Sequence, residues 1–221
     1  MTTSLTLYDI PSTLPSKAWL PNIYKVRYVL NYKGLAHHTE WVEFPDIEAL
    51  YKRLGAQASE TKDDGVTPHY TCPLLHDHST GALVSDSAAI ARYPRQNLKH
   101  PLLSPSILNL ISEEYGRRTR EARMRSEGKR LEDMVPKGGE RESEWVKLVE
   151  AFRRVDRWYG KGDRYVMGDV MSYADFMVSM WAMYFRTLFG EDSEEWKDVV
   201  KWHGGRWGRL VKDLEKYETV L

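Results

Sequence analysis

The stretch TCPLLHDHSTGALVSDSAAIARY, residues 71–93, constrains the fold more than any other part of the chain. A proline opens a short apolar run, the turn residues HSTG separate it from a second run, and together the runs predict a β-hairpin. The polar residues SDS come next and supply helix caps, so a helix should follow the hairpin directly. This order is typical of an α/β unit whose sheet contains antiparallel strands.

Alternating strands and helices precede this hairpin. The runs SLTLYDI and HHTEWVEF predict strands, while NIYKVRYVLNYKG and PDIEALYKRLGA predict helices that end at Gly34 and Gly55. The segment TKDDGVTP predicts a loop. The resulting order is strand, helix, strand, helix, hairpin, helix. It predicts a small α/β domain with a mixed sheet.

Long helical patterns replace the strands beyond Pro94. The segment SEWVKLVEAFRRVDRWYG carries an apolar stripe, MSYADFMVSMWAMYF begins with Ser172 and Asp175 at capping-box spacing, and GGRWGRLVKDLEKY predicts a last helix. We therefore expect an α/β domain over residues 1–93, a linker over 94–106 and an all-helical domain over 107–221.

Composition excludes several classes of function. Lys plus Arg and Asp plus Glu both number 32, so no net field would attract a nucleic acid. No apolar run approaches the roughly 18 residues of a membrane span, and the N-terminus lacks a signal-peptide pattern. A single cysteine excludes an intramolecular disulfide. The histidines show no metal-ligand spacing, so we expect no metal site in a soluble, cytoplasmic protein.

Four segments carry a resemblance to a known family. Residues 71–93 resemble the core signature of the glutathione S-transferase superfamily, and YVMGDVMSYADF is similar to the capped core helix of its C-terminal domain. The segments LPSKAWLPNIYKVRYVLNYKGL and TEWVEFPDIEAL are similar to a fungal-specific, serine-type class related to bacterial β-aryl etherases. The resemblance implies a thioredoxin-like N-terminal domain, an all-α C-terminal domain, glutathione as co-substrate, a small hydrophobic or aromatic second substrate and a possible homodimer.

The resemblance also implies a glutathione site in the first domain. Pro73 is expected to be cis, so that the backbone of Cys72 pairs like a strand with an extended peptide, although a proline that simply opens an edge strand is the alternative. Asp86 and Ser87 would bind the ammonium and carboxylate of the γ-glutamyl end, or serve as ordinary helix caps. Because the Cys72 thiol lies beside a proline and not at a helix N-terminus, we expect it to pack as an apolar group.

Leu20 stands where the serine-type members carry serine. A thiol needs a hydrogen-bond donor to favour its anion at neutral pH, and leucine supplies none. The Asn22 amide and backbone N–H groups at the helix start are the candidate replacements, with Ser16 and Tyr24 less well placed. Three functions follow. They are a transferase-like enzyme using Asn22, a non-catalytic protein binding glutathione and an aromatic ligand, and a dedicated enzyme of conjugation or ether cleavage in a fungal secondary-metabolite pathway.

The region after Tyr93 departs from the family pattern. Fewer than twenty residues, broken by Pro94, Pro101 and Pro105, replace a long family helix that walls the hydrophobic substrate site and part of the dimer interface. We expect the C-terminal domain to lack this helix, through either a real deletion or a mis-predicted exon.

Overall fold

The computed structural model describes residues 5–58, 60–62, 64–85, 87, 128 and 136–221. The chain divides into one unit of Met1–Arg95 with Lys216–Leu221 and a second unit of Gln96–Glu215. The expected linker, the expected missing helix and the helix expected after the hairpin lie outside the described residues, apart from Ser87.

The first unit contains six strands and two helices among its described residues: β1 (Leu5–Asp9), α1 (Pro21–Tyr32), β2 (His37–Trp41), α2 (Ile47–Leu54), β3 (Glu60–Thr61), β4 (Pro68–His69), β5 (Leu74–Asp77) and β6 (Ala82–Ser85). Four strands form one sheet in the order β2–β1–β5–β6. β1 pairs in parallel with β2 and antiparallel with β5, and β5 and β6 form the predicted hairpin. The predicted mixed sheet is confirmed.

Helices α1 and α2 end where the sequence predicts. Gly34 and Gly55 adopt left-handed backbone angles, with φ of 64° and 74°, which glycine reaches without steric cost. Strands β3 and β4 form a separate pair of two residues each. They lie at the two ends of the predicted loop TKDDGVTP. The sequence analysis did not predict them, because a strand of two residues is too short to show alternating apolar and polar side chains.

The core of the first unit joins strands β1 and β5 to both helices. Its members are Leu7, Tyr8, Ile10, Ile23, Val26, Leu30, Val42, Ile47, Leu50, Tyr51, Cys72 and Leu74. The α1 members Ile23, Val26 and Leu30 recur at helical spacing, which is why this helix covers the sheet with one face.

The described part of the second unit contains three helices, α3 (Gly139–Asp156), α4 (Tyr173–Phe189) and α5 (Glu194–Leu214), followed by a short 3₁₀ turn. The segment between α3 and α4 consists of turns and two isolated β-bridges. The predicted capping box of Ser172 and Asp175 opens α4 and is confirmed. The ring of Phe152 lies 6.1, 5.6 and 5.3 Å from those of Phe185, Trp202 and Trp207. None of the described helices is long and apolar enough to cross a bilayer.

Helix α5 begins at Glu194, where the Ser193 hydroxyl accepts a hydrogen bond from the Trp196 N–H, so its first half precedes the predicted last helix. Four residues inside it, Trp202, His203, Gly204 and Gly205, have non-helical backbone angles, and the last three have positive φ of 52°, 68° and 79°. The span therefore consists of two helices joined by a kink, and the second helix follows the glycine pair, in agreement with the predicted last helix GGRWGRLVKDLEKY.

Candidate functional site

Cys72 and Pro73 lie directly before β5, and the peptide bond between them is cis, as predicted. The Cys72 side chain is buried and belongs to the core of the first unit. Burial, and to a smaller extent the charge of Asp9, raises the pKa of the Cys72 thiol to about 12. The thiol therefore stays protonated at neutral pH, and the expected apolar packing role is confirmed.

Helix α2 holds the segment that leads into this peptide bond. The Tyr51 hydroxyl donates a hydrogen bond to the backbone carbonyl of Thr71. The Tyr51 ring, which is fully buried, also lies 5.3 Å from that of Tyr70. Because a buried tyrosine on a helix has little rotational freedom, this contact fixes the backbone next to Cys72.

The hairpin register brings the other predicted residues to the same end of the sheet. Leu74, which follows Pro73, pairs with Ser85 of β6. Ser87 comes two residues later as a half-buried turn residue, whereas Asp86 lies outside the described residues. The Ser85 hydroxyl donates to the Gln57 carbonyl at 2.8 Å, so the end of β6 is tied to the loop after α2.

Leu20 is the residue that caps the start of α1. It makes no side-chain cap hydrogen bond, and Pro21 follows at the first helical position. The Leu20 side chain is half-buried and packs against the core of the first unit. Its carbonyl accepts hydrogen bonds from the N–H groups of Ile23 and Tyr24. Leu20 therefore contributes backbone geometry and apolar surface, but no side-chain donor.

Asn22 offers the donor that Leu20 lacks. It is exposed, and its Oδ1 accepts a hydrogen bond from the Lys25 ammonium at 2.8 Å. An ammonium group has only donors, so the amide must turn its oxygen toward Lys25 and its Nδ2 away. That Nδ2 makes no hydrogen bond to any residue that the structure describes. The sequence analysis did not predict a role for Lys25. Its position three residues after Asn22 on the same helix is the signal that could have indicated this side-chain contact.

The loop between β1 and α1 starts at the same end of the sheet as the Cys72 peptide. Tyr8 near the end of β1 pairs with Leu74 at the start of β5. Ile10, Cys72 and Leu20 all belong to or pack against one core cluster. The Ile10 carbonyl accepts a hydrogen bond from the Trp19 indole at 3.1 Å, and Trp19 directly precedes Leu20. Both ends of the loop are thus held beside the same end of the sheet.

A buried ion pair that the sequence analysis did not predict lies next to these segments. The Arg27 Nη2 and Asp9 Oδ2 atoms are 2.7 Å apart, and both side chains are buried. Arg27 lies four residues after Ile23 and three before Leu30, on the apolar stripe of α1, and this spacing is the signal for its burial. Among the described residues, no group of three or more His, Cys, Asp or Glu side chains could hold a metal ion.

Comparisons with known proteins agree with this geometry. Residues 21–94 match the family model of the glutathione S-transferase N-terminal domain, and residues 98–217 match that of the C-terminal domain. The glutathione S-transferase-like protein ustS of Aspergillus flavus is 28% identical, over 96% of this chain and 91% of that protein.

Two solved fungal structures share the whole fold. A glutathione S-transferase of Ceriporiopsis subvermispora, in complex with glutathione, is 34% identical with a TM-score of 0.86 and 99% of each chain covered. Glutathione transferase GSTFuA3 from Phanerochaete chrysosporium is 33% identical with a TM-score of 0.84 and 98% of each chain covered. From these matches and the two-unit architecture, the chain belongs to the glutathione S-transferase superfamily.

Proposed function

We propose that this chain binds glutathione in its N-terminal unit and uses it for conjugation or ether and thioether chemistry on a small hydrophobic or aromatic substrate. One observation supports the proposal: Cys72–Pro73 precedes β5, Ser87 follows β6, and the loop that leads to α1 follows β1, so the strand pairing puts all three segments at the same end of the sheet. The Ceriporiopsis relative, which has the same fold at 34% identity, is a glutathione complex, and this supports the assignment of the ligand.

Each predicted site residue has one task in this proposal. The backbone of Cys72, next to the cis bond to Pro73, pairs with the extended peptide of glutathione. The Ser87 hydroxyl donates a hydrogen bond to the γ-glutamyl carboxylate, while Asp86 pairs with the ammonium group. The buried Cys72 thiol takes no part in the chemistry, because it stays protonated.

Asn22 replaces the missing serine in the activation of the glutathione thiol. Its Nδ2 donates to the sulfur anion, which is the nucleophile toward an electrophilic carbon of the second substrate. Lys25 holds the amide in the donating orientation and adds positive charge at 2.8 Å from its oxygen. A hydrogen bond to a charged group contributes about 1.5–3 kcal/mol, which corresponds to a pKa lower by about one to two units.

Calorimetric titration of glutathione into the wild type and the Ser87→Ala variant tests the binding site. Loss of the hydrogen bond to the carboxylate should weaken binding by about 1–3 kcal/mol. Ser79→Ala is the matched control, because Ser79 lies in the hairpin turn and bonds only to Asp77 there. Equal affinity of wild type and Ser87→Ala would remove Ser87 from the site, and an absence of binding by the wild type would refute the proposal.

A second candidate function is a protein that binds glutathione and an aromatic ligand without catalysis. The side chain of Leu20, which has no donor, favours it. Turnover of a nitroaromatic electrophile separates the two functions. The enzyme should show turnover that Asn22→Ala lowers about tenfold at neutral pH, whereas the binding protein should show none while still binding glutathione. A dedicated substrate in a secondary-metabolite pathway is a narrower form of the first function, and the neighbouring genes would support or oppose it.

A further inference from the structure

Asp9 and Arg27 connect three elements of the N-terminal unit beneath the proposed glutathione site. Asp9 is 1% exposed and Arg27 is fully buried. The Arg27 guanidinium donates through Nη2 to Asp9 Oδ2 at 2.7 Å and through Nη1 to Thr39 Oγ1 at 3.1 Å. Since Asp9 ends β1, Thr39 lies on β2 and Arg27 on α1, the pair locks the helix onto two parallel strands.

The second oxygen of Asp9 binds the first residue of the loop that leads to Leu20. Asp9 Oδ1 accepts a hydrogen bond from the Ile10 N–H at 2.6 Å. The Ile10 carbonyl in turn accepts the Trp19 indole N–H at 3.1 Å, and Trp19 is only 3% exposed. A short chain of hydrogen bonds therefore runs from Arg27 through Asp9 to the residue before Leu20.

Asp9 also lies beside the Cys72–Pro73 peptide. The antiparallel register of β1 and β5 pairs Tyr8 with Leu74, so its continuation places Asp9 opposite Pro73. The Asp9 charge contributes to the raised pKa of the Cys72 thiol, in agreement with this proximity. The Asp9 carboxylate thus bonds directly to the first residue of the loop before α1, and its charge acts on the residue that precedes Pro73.

The Asp9–Arg27 pair is not needed to stabilise the fold at neutral pH. Burial raises the pKa of Asp9 to about 6, although the charge and hydrogen bond of Arg27 act in the opposite direction. A carboxyl whose folded pKa exceeds its unfolded pKa of about 4 stabilises the fold most at low pH, and this contribution is lost as the pH rises through 6. Well-packed apolar residues can often replace a buried ion pair without loss of stability.

We propose that Asp9 and Arg27 are positioning residues of the glutathione site, which hold loop 10–20 and the Cys72–Pro73 peptide at the spacing that an extended peptide ligand requires. This inference rests on the proposed function. Ionised Asp9 accepts one hydrogen bond from Arg27 and one from Ile10. When the carboxyl is protonated, one of its oxygens becomes a donor and faces the N–H group of one of these residues, so that hydrogen bond is lost. Protonation therefore loosens the connection and should weaken ligand binding.

The other titratable groups around the pair keep their protonation state near neutral pH. Burial lowers the pKa of His37 on β2, and its Nδ1 lies 3.1 Å from the Leu35 carbonyl, so the ring is neutral with its proton on Nδ1. Burial holds the Cys72 thiol protonated. Arg27 stays charged, because a guanidinium does not lose its proton in this range. Because the lowered pKa of His37 still allows this ring to gain a proton at lower pH, the change of charge at Asp9 is followed through the signal of its own carboxyl.

Calorimetry with S-methylglutathione, which has no thiol to ionise, tests the inference between about pH 5 and pH 8. The wild type should lose about fivefold in affinity between pH 8 and pH 5, because a ligand that lowers the Asp9 pKa from about 6 by one unit leaves about half of the bound protein protonated at pH 5. The double variant Asp9→Asn/Arg27→Met should lose thermal stability through the buried amide, bind more weakly at neutral pH and show no pH dependence from Asp9. Glu48→Gln, which breaks the exposed pair with Lys52 in the same unit, should match the wild type.

A measurement on the wild type alone gives a second test, which does not depend on folding of the double variant. Carbon NMR of the Asp9 carboxyl should show its pKa fall by about one unit when S-methylglutathione saturates the protein, because linkage is reciprocal. An Asp9 pKa that the ligand leaves unchanged, or a double variant with wild-type affinity and pH profile, would overturn the inference while glutathione binding stands. Failure of the wild type to bind at any pH would instead refute the proposed function.

Discussion

Asp175→Ala should destabilise the C-terminal unit without altering the glutathione site. The Asp175 carboxylate is fully buried at the start of α4. Its Oδ2 accepts from the backbone N–H and the hydroxyl of Ser172, both at 2.8 Å, and its Oδ1 accepts from the Val166 N–H at 2.9 Å. Asp175 thus caps α4 and also anchors the preceding loop, a contact that the capping box alone does not predict.

These three contacts set the expected size of the effect. A hydrogen bond to a charged group contributes about 1.5–3 kcal/mol, but water will reach part of the space that the substitution opens. We therefore expect a loss of about 3–4 kcal/mol, more than the roughly 1 kcal/mol typical of a helix cap. For a chain of this size the loss corresponds to a melting temperature lower by about 6–16 °C.

Thermal and denaturant unfolding, combined with glutathione calorimetry, measure both halves of this prediction. Asp175→Asn keeps one acceptor oxygen and should lose about half as much stability. Asp169→Ala, at an exposed aspartate in the same loop, should change stability by no more than about 0.5 kcal/mol. Unchanged stability of Asp175→Ala together with lost glutathione binding would show that Asp175 serves the ligand site and not the fold.

Three further predictions concern the helices. Leu20→Ser should change the pKa of the bound glutathione thiol and the nitroaromatic turnover little, because Asn22 already supplies the donor, whereas a pKa lower by about one to two units with faster turnover would mean that Asn22 does not fill this role. His203 Nδ1 accepts the Trp207 indole N–H at 2.7 Å and burial lowers the pKa of His203, so its stabilising contribution should disappear as the pH falls below about 6.5. Thermal unfolding should therefore depend more steeply on pH in the wild type than in His203→Gln, and equal slopes would contradict this. Asn31→Ala removes two 2.8 Å hydrogen bonds, to the Tyr217 and Thr219 carbonyls. The free energy of unfolding should fall by about 1–2 kcal/mol, and carboxypeptidase should cleave the C-terminal residues faster. An unchanged rate of cleavage would exclude this anchoring role.

Local signals explain why much of the fold could be predicted. The hairpin of β5 and β6 follows from its turn residues, and the start of α4 follows from the spacing of Ser172 and Asp175. Gly34 and Gly55 mark helix ends because their backbone angles suit glycine. In each case the residues that determine the structure lie within a few positions of one another.

Contacts between distant residues could not be predicted in the same way. The Asn31 amide meets the Tyr217 carbonyl across 186 positions, and no local pattern indicates that the C-terminal residues belong to the first unit. Arg27 similarly appears as one more cation on a helix until the sheet places Asp9 against it. For the site, the sequence identified Leu20 as a missing donor, but the orientation of the Asn22 amide became clear only from its contact with Lys25.

The pKa of the thiol of bound glutathione tests the central claim most directly. The ultraviolet absorbance of the thiolate, followed against pH, gives this pKa for the wild type and for Asn22→Ala. The exposed Asn22 amide, which Lys25 orients, should hold the wild-type value about one unit below the roughly 8.5 of a free thiol. Asn22→Ala should return it to the free value while glutathione still binds. The same thiol pKa in both proteins would contradict activation by Asn22, and a value equal to that of free glutathione would favour the non-catalytic binding protein.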